Sequence, residues 1–123
     1  MNEIIKTFEI INDNRGSIVN LLENVKIKGV SLIFSKAGTT RSNHYHRDDW
    51  HYLYVLEGKM AYYERSVLED QNPFKKPVIV EKGQMIFSPP MKVHRTDFLE
   101  NTVLICLSKM AKNGNHDMIK MDY

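Results

Sequence analysis

The amino-acid sequence predicts an all-β fold, a closed barrel or sandwich of short strands forming a single domain over residues 1–123. Three observations predict it. Short runs rich in β-branched and aromatic residues recur along the chain, turn residues punctuate them at fairly even spacing, and no stretch keeps the apolar period of a helix.

Residues 4–11 form the first run, with paired isoleucines and Phe8, and Asn12-Asp13-Asn14-Arg15-Gly16 turns the chain into a second run over 17–22. A third run covers 29–35 and stops at Lys36-Ala37-Gly38. Further strands are expected at 43–47, 51–56, 59–65, 78–81, 85–88, 93–98 and 102–108, separated by Glu57-Gly58, Lys82-Gly83, Pro89-Pro90 and Glu100-Asn101. Residues 66–77 are polar and contain Pro73 and Pro77, so a longer loop is expected there, and a short helical turn fits 108–114. No repeat or linker divides the chain.

Composition narrows the function classes. Seventeen basic residues against fifteen acidic ones leave a formal charge of +2, which gives no electrostatic footprint for nucleic acid or a membrane surface. Apolar content of 42% and charged content of 26% are those of an ordinary globular chain. Cys106 is the one cysteine and lies in the apolar run 103–107, so it reads as a buried small hydrophobe. With no disulfide available, no basic-then-apolar leader at the start and no apolar stretch long enough for a membrane span, a cytoplasmic protein is expected.

Four of the five histidines, His44, His46, His51 and His94, fall within the central strands. His44 and His46 are two apart, so an extended chain sets both rings on one face, whereas a helix would splay them. His51 shares a face with Leu53 and Val55, the side opposite Tyr52 and Tyr54. A lone histidine is usually a surface or hydrogen-bonded residue. It is the spacing across the whole set that points to a metal, for which neutral imidazole is a common ligand. His116 reads as surface. Asp48 and Asp49 could orient a histidine but read as an exposed turn, and Trp50 reads as a packing residue.

That spacing resembles the cupin superfamily. Gly38, five residues, His44-Tyr45-His46, four residues, His51, six residues and Gly58 match its first motif over 38–58. Gly83, five residues, Pro89-Pro90-Met91, two residues and His94 match its second over 83–98. The resemblance implies a double-stranded β-helix, a jelly-roll-like barrel, holding one divalent metal through His44, His46, His51 and His94. His51 stands where the motif carries Glu, Met91 where it carries Gly, and Phe98 where it carries Asn. An all-imidazole site shifts preference from manganese toward Fe, Ni, Cu or Zn.

A narrower similarity joins Arg41-Ser42-Asn43-His44-Tyr45-His46-Arg47 and Asp13-Asn14-Arg15-Gly16 to the nucleotide-linked sugar ketoisomerases and deoxysugar epimerases. It implies an isomerase of a carbonyl compound in which Arg41 positions an anionic substrate and the two histidines of the pair move protons. If those histidines hold a metal instead, a tyrosine such as Tyr54 would move the proton. Two other functions stay open: an iron- or nickel-dependent dioxygenase, and a non-catalytic ligand-binding cupin with structural zinc. A small-molecule substrate and a homodimer, with strand 4–11 covering a neighbour's edge, complete the expectation.

Overall fold

In the computed structural model, the structure describes residues 4–5, 7–67, 74, 76–111 and 117–121. These hold twelve strands: β1 (Ile4–Ile5), β2 (Phe8–Asp13), β3 (Gly16–Asn20), β4 (Gly29–Ser35), β5 (Thr40–His46), β6 (His51–Glu57), β7 (Lys59–Ser66), β8 (Val78–Glu81), β9 (Met85–Ser88), β10 (Lys92–Phe98), β11 (Thr102–Ser108) and β12 (Met118–Lys120). No α-helix occurs among the described residues.

Two five-stranded antiparallel sheets face each other. One runs β1-β9-β6-β11-β4 and the other β12-β5-β10-β7-β8. The strands alternate as sheets with one packed face must. Along β11, Thr102, Leu104, Cys106 and Ser108 are buried while the residues between them are half-exposed. Leu53, Val55, Met60, Tyr62, Val80 and Ile86 meet in the apolar core between the layers. The expected thiol position holds: Cys106 is buried.

The tight turn between β6 and β7 depends on Gly58, whose φ is 99°. A Cβ there would lie 2.7 Å from the Thr102 Cα and would also strike the Asn101 carbonyl. Gly58 is therefore required twice, for its backbone conformation and for the close approach of the β10–β11 turn.

The first expected run, 4–11, is two pieces. β1 pairs with β9 of its own sheet, while β2, among the described residues, pairs only with β3 in a separate hairpin. The second run ends at Asn20, short of residue 22. β12 was not expected, and it pairs with β5 at the edge of the second sheet. Residues 109–110 form a bend, not a helical turn. His116, the rest of that expected turn and most of the expected loop 66–77 lie outside the described residues.

Candidate functional site

β5 and β10 are neighbours, and their register sets His94 directly opposite His44. Pleating then brings His46 to the same inner face. The ring centroids lie 4.9 Å apart for His44–His46, 4.6 Å for His44–His94 and 4.9 Å for His46–His51. The four imidazoles expected from the sequence are thus gathered at one place between the sheets.

They are not equivalent. His44, His46 and His94 each offer a ring nitrogen within 4.8 Å of the others. His51 stands outside that group, and its Nε2 faces Asp49 Oδ2 at 3.2 Å. Three of the four expected ligands thus form the close group, with His51 as a carboxylate-backed imidazole beside it. Asp49 is also not the exposed turn residue expected: it is 1% exposed. It accepts the Trp50 and Met110 N–H groups at 2.9 and 3.0 Å. Asp48 does lie at the surface, paired with Lys109.

Each outer nitrogen of the buried pair has a partner. His94 Nδ1 lies 3.3 Å from the Lys92 carbonyl, and His46 Nδ1 lies 3.2 Å from Asp117 Oδ1. His46 Nε2 is buried and has no hydrogen-bond partner. A nitrogen left in that state suits a cation, since an orphaned buried polar atom is otherwise costly. Burial, reinforced by the neighbouring His44, pushes the His94 imidazole well below its ordinary value of 6.5, against the opposing effect of the Lys92 carbonyl. Its neutral form therefore prevails, as metal ligation or proton acceptance requires. Burial raises the Asp117 carboxyl, but the N–H groups of Asp49 and Asp48 and the His46 ring outweigh it and bring the group down to about 2.

Arg41 reaches the same cavity through an irregularity. The β5–β10 register slips after His94, so that Arg95 faces Ser42 and Thr96 faces Arg41. Ser42 and Asn43 adopt left-handed φ values of 77° and 66°, a strain of about 1–2 kcal/mol per residue for a side-chain-bearing position. This bulge inserts one residue, so that Arg41 faces inward opposite buried Thr96. Arg41 Nε donates to Ser35 Oγ at 2.8 Å and Nη2 donates to the Phe34 carbonyl at 3.0 Å. The cavity measures about 250 Å³ and is lined by the histidines and Arg41 together with Ile33, Leu53, Phe98 and Leu104.

Tyr54 does not join them. It lies on β6 between the buried Leu53 and Val55, so pleating turns it to the opposite face of the sheet from His51. The catalytic assignment to Tyr54 is corrected accordingly. The tyrosine near the cluster is Tyr62, which is 1% exposed. Its ring stacks on His94 at 6.3 Å, and its hydroxyl hydrogen-bonds Ser88 Oγ and Glu64 Oε1, each at 3.0 Å, the carboxylate accepting. Trp50 packs against Tyr52 and Phe87, as expected of a packing residue. Asp117 was not singled out, because it lies 71 residues from His46 and belongs to no motif.

Two facing antiparallel sheets, with inward histidines on β5, β6 and β10, give the chain the fold of the RmlC-like jelly-roll cupins. Over residues 11–122 the chain matches the family model described as polysaccharide biosynthesis C-terminal domain, and it belongs to that family. No curated protein matches it. Among solved structures it is similar to a 3,4-ketoisomerase from Helicobacter canadensis, at 23% identity and a TM-score of 0.79, covering 98% of this chain and 90% of the other. It is also similar to QdtA, a sugar 3,4-ketoisomerase from Thermoanaerobacterium thermosaccharolyticum in complex with TDP, at 20% and 0.78, covering 98% and 88%. A third similar structure is dTDP-4-dehydrorhamnose 3,5-epimerase from Sulfolobus tokodaii, at 17% and 0.75, covering 99% and 76%. At these identities the shared property is the fold.

Proposed function

We propose that this protein is an isomerase or epimerase of a small carbonyl compound, a nucleotide-linked keto-sugar, working in the histidine-lined cavity. The observation that carries the reading is the convergence of a carboxylate-backed imidazole and an inward arginine on one cavity. At about 250 Å³ it falls below the roughly 300–1,000 Å³ of sites that engulf drug-sized ligands. It suits one sugar ring, with the nucleotide outside the mouth. The solved ketoisomerase that binds TDP supports the same substrate class.

In this reading Arg41, held by Ser35 and the Phe34 carbonyl, pairs with an anionic group of the substrate. His51, oriented by Asp49, takes the proton from the carbon beside the carbonyl. The electron pair left behind moves onto the carbonyl oxygen. Transfer of the neighbouring hydroxyl's proton to that oxygen, with return of the carbon-bound proton to the former carbonyl carbon, gives the isomeric ketone, and return to the opposite face of the original carbon gives the epimer.

His44, His46 and His94 would hold one divalent transition metal, Fe, Ni, Zn or Cu. The unpartnered His46 Nε2 fits it, as does the use of both outer nitrogens by Asp117 and the Lys92 carbonyl. Bound there, the metal supplies Lewis acidity toward the carbonyl oxygen. An adjoining cavity argues against a closed structural zinc site. Oxygen uptake by iron-loaded protein would move the reading to a dioxygenase.

The test is to incubate untagged protein in D₂O with TDP-linked 4-keto-hexoses and follow them by NMR. Deuterium should enter the carbon next to the carbonyl as the isomeric ketone forms. A full panel that exchanges no faster than the buffer control would sink the activity. Metal analysis of the same preparation should find one ion per chain, and none would sink the metal.

The reading includes a homodimer in the cytoplasm. Among the described residues the β2–β3 hairpin joins neither large sheet, and it exposes Ile11, Ile18 and Val19. Among the described residues β4 pairs only with β11. A second copy would serve both the unattached hairpin and the open edge. Light scattering should return twice the chain mass.

A further inference from the structure

The loop between the two histidine strands is held by a carboxylate from a distant part of the chain. Asp117 precedes β12, the edge strand that pairs with β5 at Met118↔His46 and Lys120↔His44. Its Oδ2 accepts the backbone N–H of Asp48 at 2.9 Å and of Asp49 at 2.8 Å. Its Oδ1 faces His46 Nδ1 at 3.2 Å. The side chain is 14% exposed and that of His46 is 3% exposed, so water competes little for either.

For a neutral His46 ring the arrangement has one consistent tautomer. An ionised carboxylate only accepts, so His46 Nδ1 must carry the ring proton to meet it. A neutral imidazole with its proton on Nδ1 has its lone pair on Nε2. In this protein that is the buried atom with no hydrogen-bond partner. The backbone N–H groups on Oδ2 fix the carboxylate's orientation, and the carboxylate fixes the ring's tautomer. We propose that Asp117 is a positioning residue that locks His46 in its Nδ1–H tautomer, so that the Nε2 lone pair is available to the ligand of this site. Its use toward a metal rests on the function proposed above, whereas the tautomer itself does not.

The isosteric Asp117→Asn variant provides a directed test. The two backbone N–H donors can be met only by the amide oxygen, so the amide NH₂ must turn toward His46 Nδ1. A donor there forces Nδ1 to accept, and the ring proton moves to Nε2. The local shape and both backbone hydrogen bonds survive, so thermal stability should change little while the tautomer inverts.

Two-bond ¹⁵N–¹H correlation spectra of metal-free protein read this directly, with His46→Gln assigning the resonance. In the wild type His46 should show a protonated Nδ1 and an unprotonated Nε2, and Asp117→Asn should exchange them. A wild-type ring protonated on Nε2 would overturn the proposal without need of any variant. So would an Asp117→Asn protein whose His46 pattern matches the wild type. Zinc titration of the same samples should give roughly 10–100-fold weaker binding in the variant, the usual effect of removing a ligand's outer partner. Wild-type protein that binds no zinc would sink the metal reading and leave the tautomer result standing.

Discussion

At Met91 the backbone takes φ 60°, and the Met91 N–H donates to the His46 carbonyl at 2.8 Å. The side chain is 43% exposed, so little packing holds it there. Met91→Gly should raise stability by about 0.5–1 kcal/mol, the relief of left-handed strain less the entropy of a new glycine. The denaturant midpoint should rise with an unchanged slope. The imidazoles separate by a different measurement. His94→Ala should empty the proposed metal site, while His51→Ala should keep the ion and lose turnover, read as metal per chain beside kcat. Arg41→Gln should raise KM about 10–100-fold with a small change in kcat, as loss of a charge-assisted contact to the non-reacting part of a substrate would. A rise confined to kcat effects would remove Arg41 from substrate binding.

Among the elements, the β6–β7 turn and the β5 bulge carry the most consequence. Gly58→Ala places a Cβ against Asn101 and Thr102 in a left-handed conformation, and it should cost about 2–4 kcal/mol of unfolding free energy. The two also differ in how far the sequence foretells them. Gly58 is visible in the residues because a glycine between two β-rich runs marks a turn. Alternation likewise exposes the inner faces of β6 and β11, and the spacing of His44, His46 and His94 survives folding intact. The bulge is not visible: Ser42-Asn43 carries no glycine, and strict alternation would have turned Arg41 outward. For the same reason Tyr54 could not be told from Tyr62 by number alone. Asp117 and β12 stayed hidden because their role depends on a pairing across 71 residues.

For the whole molecule, two linked groups set the response to acid. The His94 imidazole is held below its ordinary 6.5 in the fold, so the unfolded chain binds the proton more readily. Its contribution is full above 6.5 and declines as pH falls below it. The Asp117 carboxyl is held at about 2 against 3.8, so its contribution is present above 3.8 and is lost as pH falls toward 2. Urea midpoints of metal-free protein should therefore fall from pH 7 to pH 5 and fall again below pH 4. A flat profile between 7 and 5 would contradict the neutral His94.

The outer face of β4 carries Val30, Leu32 and Phe34 at 68%, 58% and 65% exposure, beside a row of backbone groups that no described strand pairs on that side. An edge of this kind adds extended chain from any source. Added about a two-fold axis, each copy consumes the other's edge and growth stops after one event. Added head to tail, each event regenerates the edge it used, and the product is a filament. The symmetry of a single contact along β4 thus decides whether concentrated protein stays clear or gels.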